Sequence, residues 1–257
     1  MNQSERRHFL LEALLKESHL DNQIQIPSGT EEQRQLLRGI MNVRRPEKIS
    51  NEFLAVQDAY LQKVNADKGI VDVTELPEVR KGISIWQGDI TSLRCDAIVN
   101  AANSGMTGCY VPNHRCIDNC IHSYAGIQLR LECAALMREQ GHEEPTGKAK
   151  ITKGYNLPCR YVIHTVGPII YNRVQKEDEK LLAACYRSCL EVAAAHHLES
   201  IAFCCISTGE FHFPNKRAAE IAVQTVERFM KEDTSIKKVV FNVFKDIDKT
   251  IYEELLG

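Results

Sequence analysis

The stretch Asp96-Ala-Ile-Val-Asn-Ala-Ala-Asn103 decides the fold, because it joins a short apolar run to two asparagines. The run Ala97–Ala101 predicts a buried strand, and the asparagines mark its carboxyl end. An asparagine amide in that position can bond ribose hydroxyls as both donor and acceptor. Since asparagine is also common in turns, the segment alone does not define a binding site.

Five other short runs rich in β-branched or aromatic residues also predict strands. They are Ile83–Trp86, Ala149–Thr152, Tyr161–Val166, Ile201–Ile206 and Val239–Val243. Helical patterns lie near residues 119–139, 176–197, 215–231 and 247–256. Strands that alternate with helices predict an α/β fold in three α/β/α layers, with a mixed, largely parallel sheet covered on both faces.

The amino-terminal part of the chain has a different pattern. Leu10 and Leu14 recur at helical spacing, and Thr30-Glu-Glu-Gln33 has the form of a capping box with Thr30 at the N-cap. We therefore predict a small helical extension over residues 1–75 and a main domain over residues 76–257. No motif assigns chemistry to the extension, so we expect a cap packed on the main domain, with a partner-docking module as the alternative.

Composition excludes several classes of function. The formal charge of −2 over 257 residues gives no basic surface for nucleic acid and no strong field for a membrane. The start of the chain lacks the apolar core of a signal peptide, and no later run is long enough to span a bilayer. We expect a cytoplasmic protein whose ten cysteines are reduced, most of them as small buried hydrophobes.

Two loops have the residues of a nucleotide site. Gly88-Asp-Ile-Thr91 follows a predicted strand, and its carboxylate could accept a hydrogen bond from an adenine amino group; a tight turn is the alternative. Ser207-Thr-Gly-Glu-Phe-His-Phe-Pro214 lies between a strand and a helix. Its glycine permits close backbone approach, and amides at a helix start favour anions, so this loop is a candidate phosphate cradle.

The segment Cys109-Tyr-Val-Pro-Asn-His114-Arg-Cys116 contains two thiols and an imidazole, which are preferred zinc ligands. Cys109, His114 and Cys116 would leave one coordination position open, as catalytic zinc sites do. The alternative is a coincidence of buried thiols and a surface histidine. Cys120 is a possible fourth ligand, but its place on a predicted helix favours a direction into the core.

Two residues after the loop are further candidates. Asp118 would act as a general base or substrate-orienting carboxylate, or it would simply cap the following helix. Asp118 and His122 could also be metal ligands or polar groups near a ribose. A bound Zn²⁺ would lower the pKa of a coordinated water or hydroxyl.

Taken together, six segments resemble the signature segments of macrodomains, in the same order, over roughly residues 82–257. These segments are Gly88–Thr91, Asp96–Asn103, Ile121-His-Ser-Tyr-Ala-Gly126, Gly147-Lys-Ala-Lys-Ile-Thr-Lys-Gly154, Tyr161-Val-Ile-His-Thr-Val-Gly-Pro168 and Ser207–Pro214. The resemblance implies a cleft for ADP-ribose. It places Asp89 and Ile90 at adenine, Asn103 at the distal ribose, and the loop residues Ser207, Thr208, Gly209, Glu210 and Phe211 along the diphosphate.

One departure from the family pattern is informative. Many macrodomains have a run of glycines after the Asn-Ala-Ala-Asn segment, where this chain has the candidate metal loop. That loop and the helical extension resemble the zinc-dependent microbial branch of the family, whose members reverse protein ADP-ribosylation.

The resemblance implies a zinc-dependent hydrolase that removes ADP-ribose from mono-ADP-ribosylated proteins at acidic side-chain esters, with Asn103 and Asp118 as catalytic residues. Its partners would be the modified protein and ADP-ribose, without nucleic acid or membrane. Deacetylation of O-acetyl-ADP-ribose is a second possibility for the same cleft. A non-catalytic reader, in which zinc only shapes the loop, is a third.

Overall fold

The computed structural model describes residues 1–232 and 234–257. Three helices form the amino-terminal part: α1 (Gln3–Glu17), α2 (Thr30–Val43) and α3 (Asn51–Asp67). A two-stranded parallel pair follows, made of β1 (Val71–Asp72) and β3 (Leu93–Arg94). The predicted helical extension is therefore present, while its boundary at residue 75 stays a prediction.

Six strands form the main sheet in the order β2-β8-β7-β4-β6-β5. They are β2 (Ile83–Gln87), β4 (Ala97–Ala101), β5 (Ala149–Lys153), β6 (Tyr161–Thr165), β7 (Ser200–Phe203) and β8 (Lys238–Val243). Every neighbouring pair is parallel except β5 with β6, at one edge. The prediction of a mixed, largely parallel sheet is confirmed.

Five helices flank this sheet: α4 (Ile117–Ala125), α5 (Ile127–Gln140), α6 (Lys176–Ala195), α7 (Asn215–Phe229) and α8 (Asp246–Leu256). The single helix predicted near residues 119–139 is wrong, because α4 and α5 are separate. Gly126 lies between them with a φ of +99°, a conformation that side-chain-bearing residues rarely adopt. The chain turns there, so α5 takes its own direction.

The predicted capping box at Thr30 is also wrong. Thr30 is the first residue of α2, and Gly29, which has no capping side chain, is at the N-cap. The Gln33 side chain instead donates to the carbonyl of Pro27 at 2.7 Å and accepts from Arg7 Nε at 2.8 Å. Gln33 therefore joins α2 to α1 and does not close the start of its own helix.

Two groups of buried apolar side chains stabilise the fold. The larger group fills the space between the main sheet and its flanking helices. The smaller group lies among α1, α2 and α3, and includes the predicted stripe of Leu10 and Leu14. Ile127 of α5 belongs to the smaller group, so the helical extension packs directly on the main domain. Burial of each such side chain contributes about 1.5–3 kcal/mol.

The sheet brings the predicted site loops together. Because β2, β8, β7 and β4 are parallel, their carboxyl ends lie side by side and form what we call the carboxyl edge of the sheet. Ligands of α/β sheets bind at this edge. The loops at Asp89, Asn103 and Ser207 all leave the sheet at that edge. Within residues 1–232 and 234–257, no helix is long and apolar enough to cross a membrane.

Candidate functional site

The candidate metal loop lies beside the candidate phosphate loop. His114 Nε2 is 3.8 Å from Glu210 Oε1, which joins the loop after β4 to the loop after β7. The segment after β6 also reaches the second loop, since the Ile170 amide donates to the carbonyl of Phe211 at 2.9 Å. Three loops thus meet at the carboxyl edge of the sheet.

Asp89 caps a short 3₁₀ turn, Ile90–Ser92, with its side chain. Asp89 Oδ1 accepts from the Thr91 amide at 3.0 Å and from Thr91 Oγ1 at 2.7 Å. Burial raises the pKa of Asp89, but the Lys68 charge and the Thr91 hydrogen bonds outweigh it, so the net pKa is lowered. The carboxylate stays 42% exposed and ionised, whereas the Ile90 side chain is buried. The turn interpretation is correct for the backbone, and a ligand can still reach the carboxylate.

The structure brings the two predicted catalytic residues into contact. Asn103 Nδ2 donates to Asp118 Oδ2 at 3.3 Å and to the carbonyl of Gly108 at 3.2 Å. Asn103 is exposed at the sheet edge, whereas Asp118 is buried behind it. Asp118 does not cap α4, because Cys116 holds the N-cap position and its sulfur accepts from the Asn119 amide.

A buried polar chain supports Asp118 from the sheet. Asn100 Nδ2 donates to Asp118 Oδ1 at 2.8 Å and lies 3.1 Å from His164 Nδ1. Because the amide nitrogen is a donor, Nδ1 must accept, which places the ring hydrogen on Nε2, 2.8 Å from Thr152 Oγ1. Burial lowers the pKa of His164 to about 3, so the ring is neutral.

His164 lies in the predicted strand Tyr161–Val166, for which the sequence predicts no site residue, so this chain was not predicted. A usable signal was present: Asn100 and His164 are polar residues inside two apolar strands. The register pairs them directly across β4 and β6. A buried polar residue normally has a hydrogen-bond partner. Asn100 and His164 are partners of one another.

Asp118 is buried, and burial has the largest effect on its pKa. Burial raises the pKa of Asp118 to about 6, although the amides of Asn100 and Asn103 and the charge of Arg130 oppose that rise. His122 Nε2 is 3.6 Å from Asp118 Oδ1. Neither ring nitrogen of His122 has a hydrogen-bond partner among the described residues, and burial lowers its pKa, so it too is neutral.

The loop residues predicted as metal ligands lie together. One ligand atom each from Cys109, His114 and Cys116 falls within 4.8 Å of the other two, and Cys109 Sγ is 3.6 Å from His114 Nδ1. Burial raises the pKa of Cys116 to about 12, so its thiolate requires a nearby cation. The half-buried position and the Cys₂His donor set fit a Zn²⁺ ion with one open position.

Cys120 is not part of this group. Its sulfur lies 3.5 Å from Arg38 Nη2, at the interface with α2, so the expectation that it points into the core is wrong. His122, Cys133 and His164 form a second, fully buried group of possible ligand atoms. Both nitrogens of His164 are already in hydrogen bonds, so His164 supports Asp118 through Asn100 and offers no free ligand atom.

Helix α2 supports the candidate metal loop from outside, which the sequence did not predict. Arg38 Nη2 donates to the carbonyl of His114 and to Asn119 Oδ1, both at 2.8 Å. Asn42 Oδ1 accepts from the Asn113 amide at 2.9 Å. The loop is therefore held between α2 and the start of α4.

The candidate phosphate loop has a constrained backbone. Ser207 adopts a φ of +65°, and its carbonyl accepts from the Phe213 amide at 2.9 Å. Ser207 Oγ is buried and has no partner in the described part of the chain. Thr208 is half-buried and donates to the carbonyl of Cys205 at 3.0 Å, while Gly209 has open space around it. The loop presents its backbone and small side chains directly before α7.

The fold and these loops define a macrodomain, and the chain belongs to the Macro domain family. The profile described as Macro domain matches residues 99–222. A Protein-ADP-ribose hydrolase of Treponema medium is 55% identical over 261 residues, covering 100% of both chains. A Protein-ADP-ribose hydrolase of Staphylococcus aureus is 51% identical over 251 residues, covering 97% of this chain and 94% of the relative.

Solved structures share the fold. The Oceanobacillus iheyensis macrodomain with ADP is 38% identical with a TM-score of 0.63, covering 70% of this chain and 93% of that one. The Trypanosoma brucei macrodomain in complex with ADP-ribose is 31% identical with a TM-score of 0.67, covering 82% of this chain and 92% of that one.

Proposed function

We propose that this protein removes ADP-ribose from mono-ADP-ribosylated proteins, as a zinc-dependent hydrolase. The observation that carries the proposal is the contact between Asn103 and Asp118 at the sheet edge where the thiol-imidazole loop meets the Ser207–Pro214 loop. The relatives at 51% and 55% identity, whose names are protein-ADP-ribose hydrolases, support the same activity.

ADP-ribose would lie across the three loops. The half-exposed carboxylate of Asp89 would accept from adenine, beside the backbone of Ile90. The segment Ser207–Phe211 would take the diphosphate, because small residues before a helix let backbone amides approach an anion. Asn103, the exposed member of the catalytic pair, would bond the distal ribose.

Cys109, His114 and Cys116 would hold Zn²⁺. When bound, the ion supplies Lewis-acid polarisation and a lowered pKa for water or hydroxyl at neutral pH. Asn103 orients the ribose hydroxyl with its amide, and Asp118 fixes that amide through the 3.3 Å hydrogen bond. Asn100 and His164 keep the Asp118 carboxylate from rotating. The chain's own part is to position the ribose beside the metal loop.

We further propose acidic side-chain esters as the linkage and the cytoplasm as the location. The ester proposal rests on resemblance to the zinc-dependent branch. All ten cysteines are free, which supports a reducing compartment.

Single-turnover release of ADP-ribose from a mono-ADP-ribosylated protein tests the proposal, with zinc-loaded and chelator-treated enzyme compared. We expect release that depends on zinc and is restored when the metal is returned. Binding of ADP-ribose without release in either state would contradict hydrolysis and favour a reader. Turnover of O-acetyl-ADP-ribose alone would instead favour the deacetylase.

A further inference from the structure

Lys68, at the end of α3 in the helical extension, reaches the nucleoside end of the candidate cleft. Its Nζ lies 3.1 Å from Asp89 Oδ2 and donates to Thr91 Oγ1 at 2.9 Å. The ammonium also lies over the ring of Tyr124, 2.8 Å from the centroid. Two hydrogen-bond acceptors and one aromatic face thus occupy the three directions in which an ammonium donates.

Lys68 is fixed in this position by its own helix. Asn65, one turn earlier on α3, donates to the carbonyl of Tyr124 at 3.1 Å and to the carbonyl of Asn156 at 2.7 Å. The Lys68 side chain is only 21% exposed. Burial lowers the pKa of Lys68, and the Asp89 carboxylate opposes that shift. The ammonium is therefore part of the domain interface and is not a mobile surface charge.

The contacts of Asp89 leave it little capacity for a ligand. A carboxylate has about four lone-pair directions. The Thr91 amide, Thr91 Oγ1 and Lys68 Nζ take three of them. One direction, on Oδ2, remains for a ligand at this partly exposed group. A single free acceptor suits an exocyclic amine and repels a carbonyl oxygen.

We propose that Lys68 is a positioning residue that makes the cleft select an amino-bearing purine, so that the helical extension takes part in nucleobase recognition. Lys68 occupies one side of Oδ2 and fixes the plane of the carboxylate. The remaining acceptor then points in one direction, where the exocyclic amine of adenine can donate and the 6-carbonyl oxygen of hypoxanthine cannot. This inference rests on the proposed function, because that function places adenine at Asp89.

Calorimetric binding of ADP-ribose and of its hypoxanthine analogue, inosine diphosphate ribose, tests the inference on the full chain. We compare wild type with Lys68→Met and with Lys63→Met. Lys63 is on the same helix, is 55% exposed and pairs with Asp67, so it is a matched control. Wild type and Lys63→Met should prefer ADP-ribose, and Lys68→Met should bind it about tenfold more weakly with most of the preference lost.

Thermal unfolding accompanies each titration. If Lys68→Met does not fold, Lys68→Leu, which also removes the donor to Asp89, replaces it with the same expectation. An unchanged preference in a folded Lys68 variant overturns the inference and leaves the proposed function intact. If a Lys68 variant binds both ligands more weakly by the same factor, Lys68 does not select the base. Wild-type protein that binds neither ligand overturns the proposed function itself, a result distinct from the other two.

Discussion

Asn103 is the residue through which the buried network reaches the surface. Its amide is exposed, while the group that fixes it, Asp118, is buried and is itself held by Asn100. Only the exposed member can touch a ribose. The buried members restrict its orientation, which matters because a misplacement of about 1 Å can lower a rate 10²-fold.

The first prediction is for Asn103→Ala. We expect single-turnover release of ADP-ribose to fall by about 10- to 100-fold, since the ribose loses its orienting amide. The thermal midpoint should fall modestly, because the substitution removes the hydrogen bonds from Asn103 Nδ2 to Asp118 Oδ2 and to the Gly108 carbonyl. Asn22→Ala, at another exposed asparagine in the segment between α1 and α2, is the control. A rate equal to wild type in Asn103→Ala would contradict our placement of the distal ribose.

At the scale of elements, α2 and the break between α4 and α5 determine the shape of the site. Helix α4 starts at the candidate metal loop, and it must end before α5 begins to pack on the helical extension. Gly126 allows that ending. A Cβ there would lie 2.7 Å from Gln57 Nε2, which belongs to a buried glutamine of α3.

The second prediction compares two glycines with positive φ. Gly126→Ala should lower the free energy of unfolding by about 1–3 kcal/mol or more, because backbone strain and a steric contact add. Gly141→Ala should lower the free energy of unfolding by about 1 kcal/mol, since φ is +75° there but, among the described residues beyond its chain neighbours, none meets the new Cβ within 4 Å. Urea denaturation of both variants measures the difference. Equal losses would show that the contact with Gln57 adds nothing.

At the scale of the whole molecule, hydrogen bonds at the amino ends of the strands, on the side of the sheet opposite the site, stabilise the fold. Asp96 precedes β4 and accepts from the amides of Glu199 and Ser200, at 2.8 and 3.1 Å. Arg160, before β6, donates to the same carboxylate at 2.9 Å. One carboxylate therefore joins the starts of three strands.

The third prediction concerns pH. Burial raises the pKa of Asp96, but the hydrogen bonds from Glu199, Arg160 and Ser200 outweigh it, so the folded pKa is below the unfolded value. The stabilisation is present above the unfolded pKa, about 3.9, and is lost as pH falls through the folded pKa. Asp96→Asn should cost about 1–3 kcal/mol at pH 7.

Urea denaturation at pH 7 and near pH 3 measures this difference. The gap between Asp96→Asn and wild type should shrink at the lower pH. ADP-ribose binding at neutral pH should be unchanged, because Asp96 lies at the far edge of the sheet. If the difference in unfolding free energy between the two proteins is the same at both pH values, the ionised Asp96 carboxylate is not the source of the stabilisation.

Sequence alone predicted what depends on local pattern. Strand and helix alternation follows from hydrophobic period, and the grouping of Cys109, His114 and Cys116 follows from their closeness along the chain. The contacts of Lys68 with Asp89 and of Arg38 with His114 could not be predicted in this way. They join residues 21 and 76 positions apart, and only the packing of α2 and α3 brings them together.

Arg38 also implies a thermodynamic linkage. Its guanidinium stabilises the loop at His114 only while α2 is docked on the main domain. The docking of α2 and the ordering of the loop are therefore coupled equilibria. Such coupling is reciprocal: whatever binds and orders the loop must strengthen the docking of α2 by the same factor. Occupancy of the loop should therefore be readable at a distance, as slower amide exchange in a helix that contributes no ligand atom.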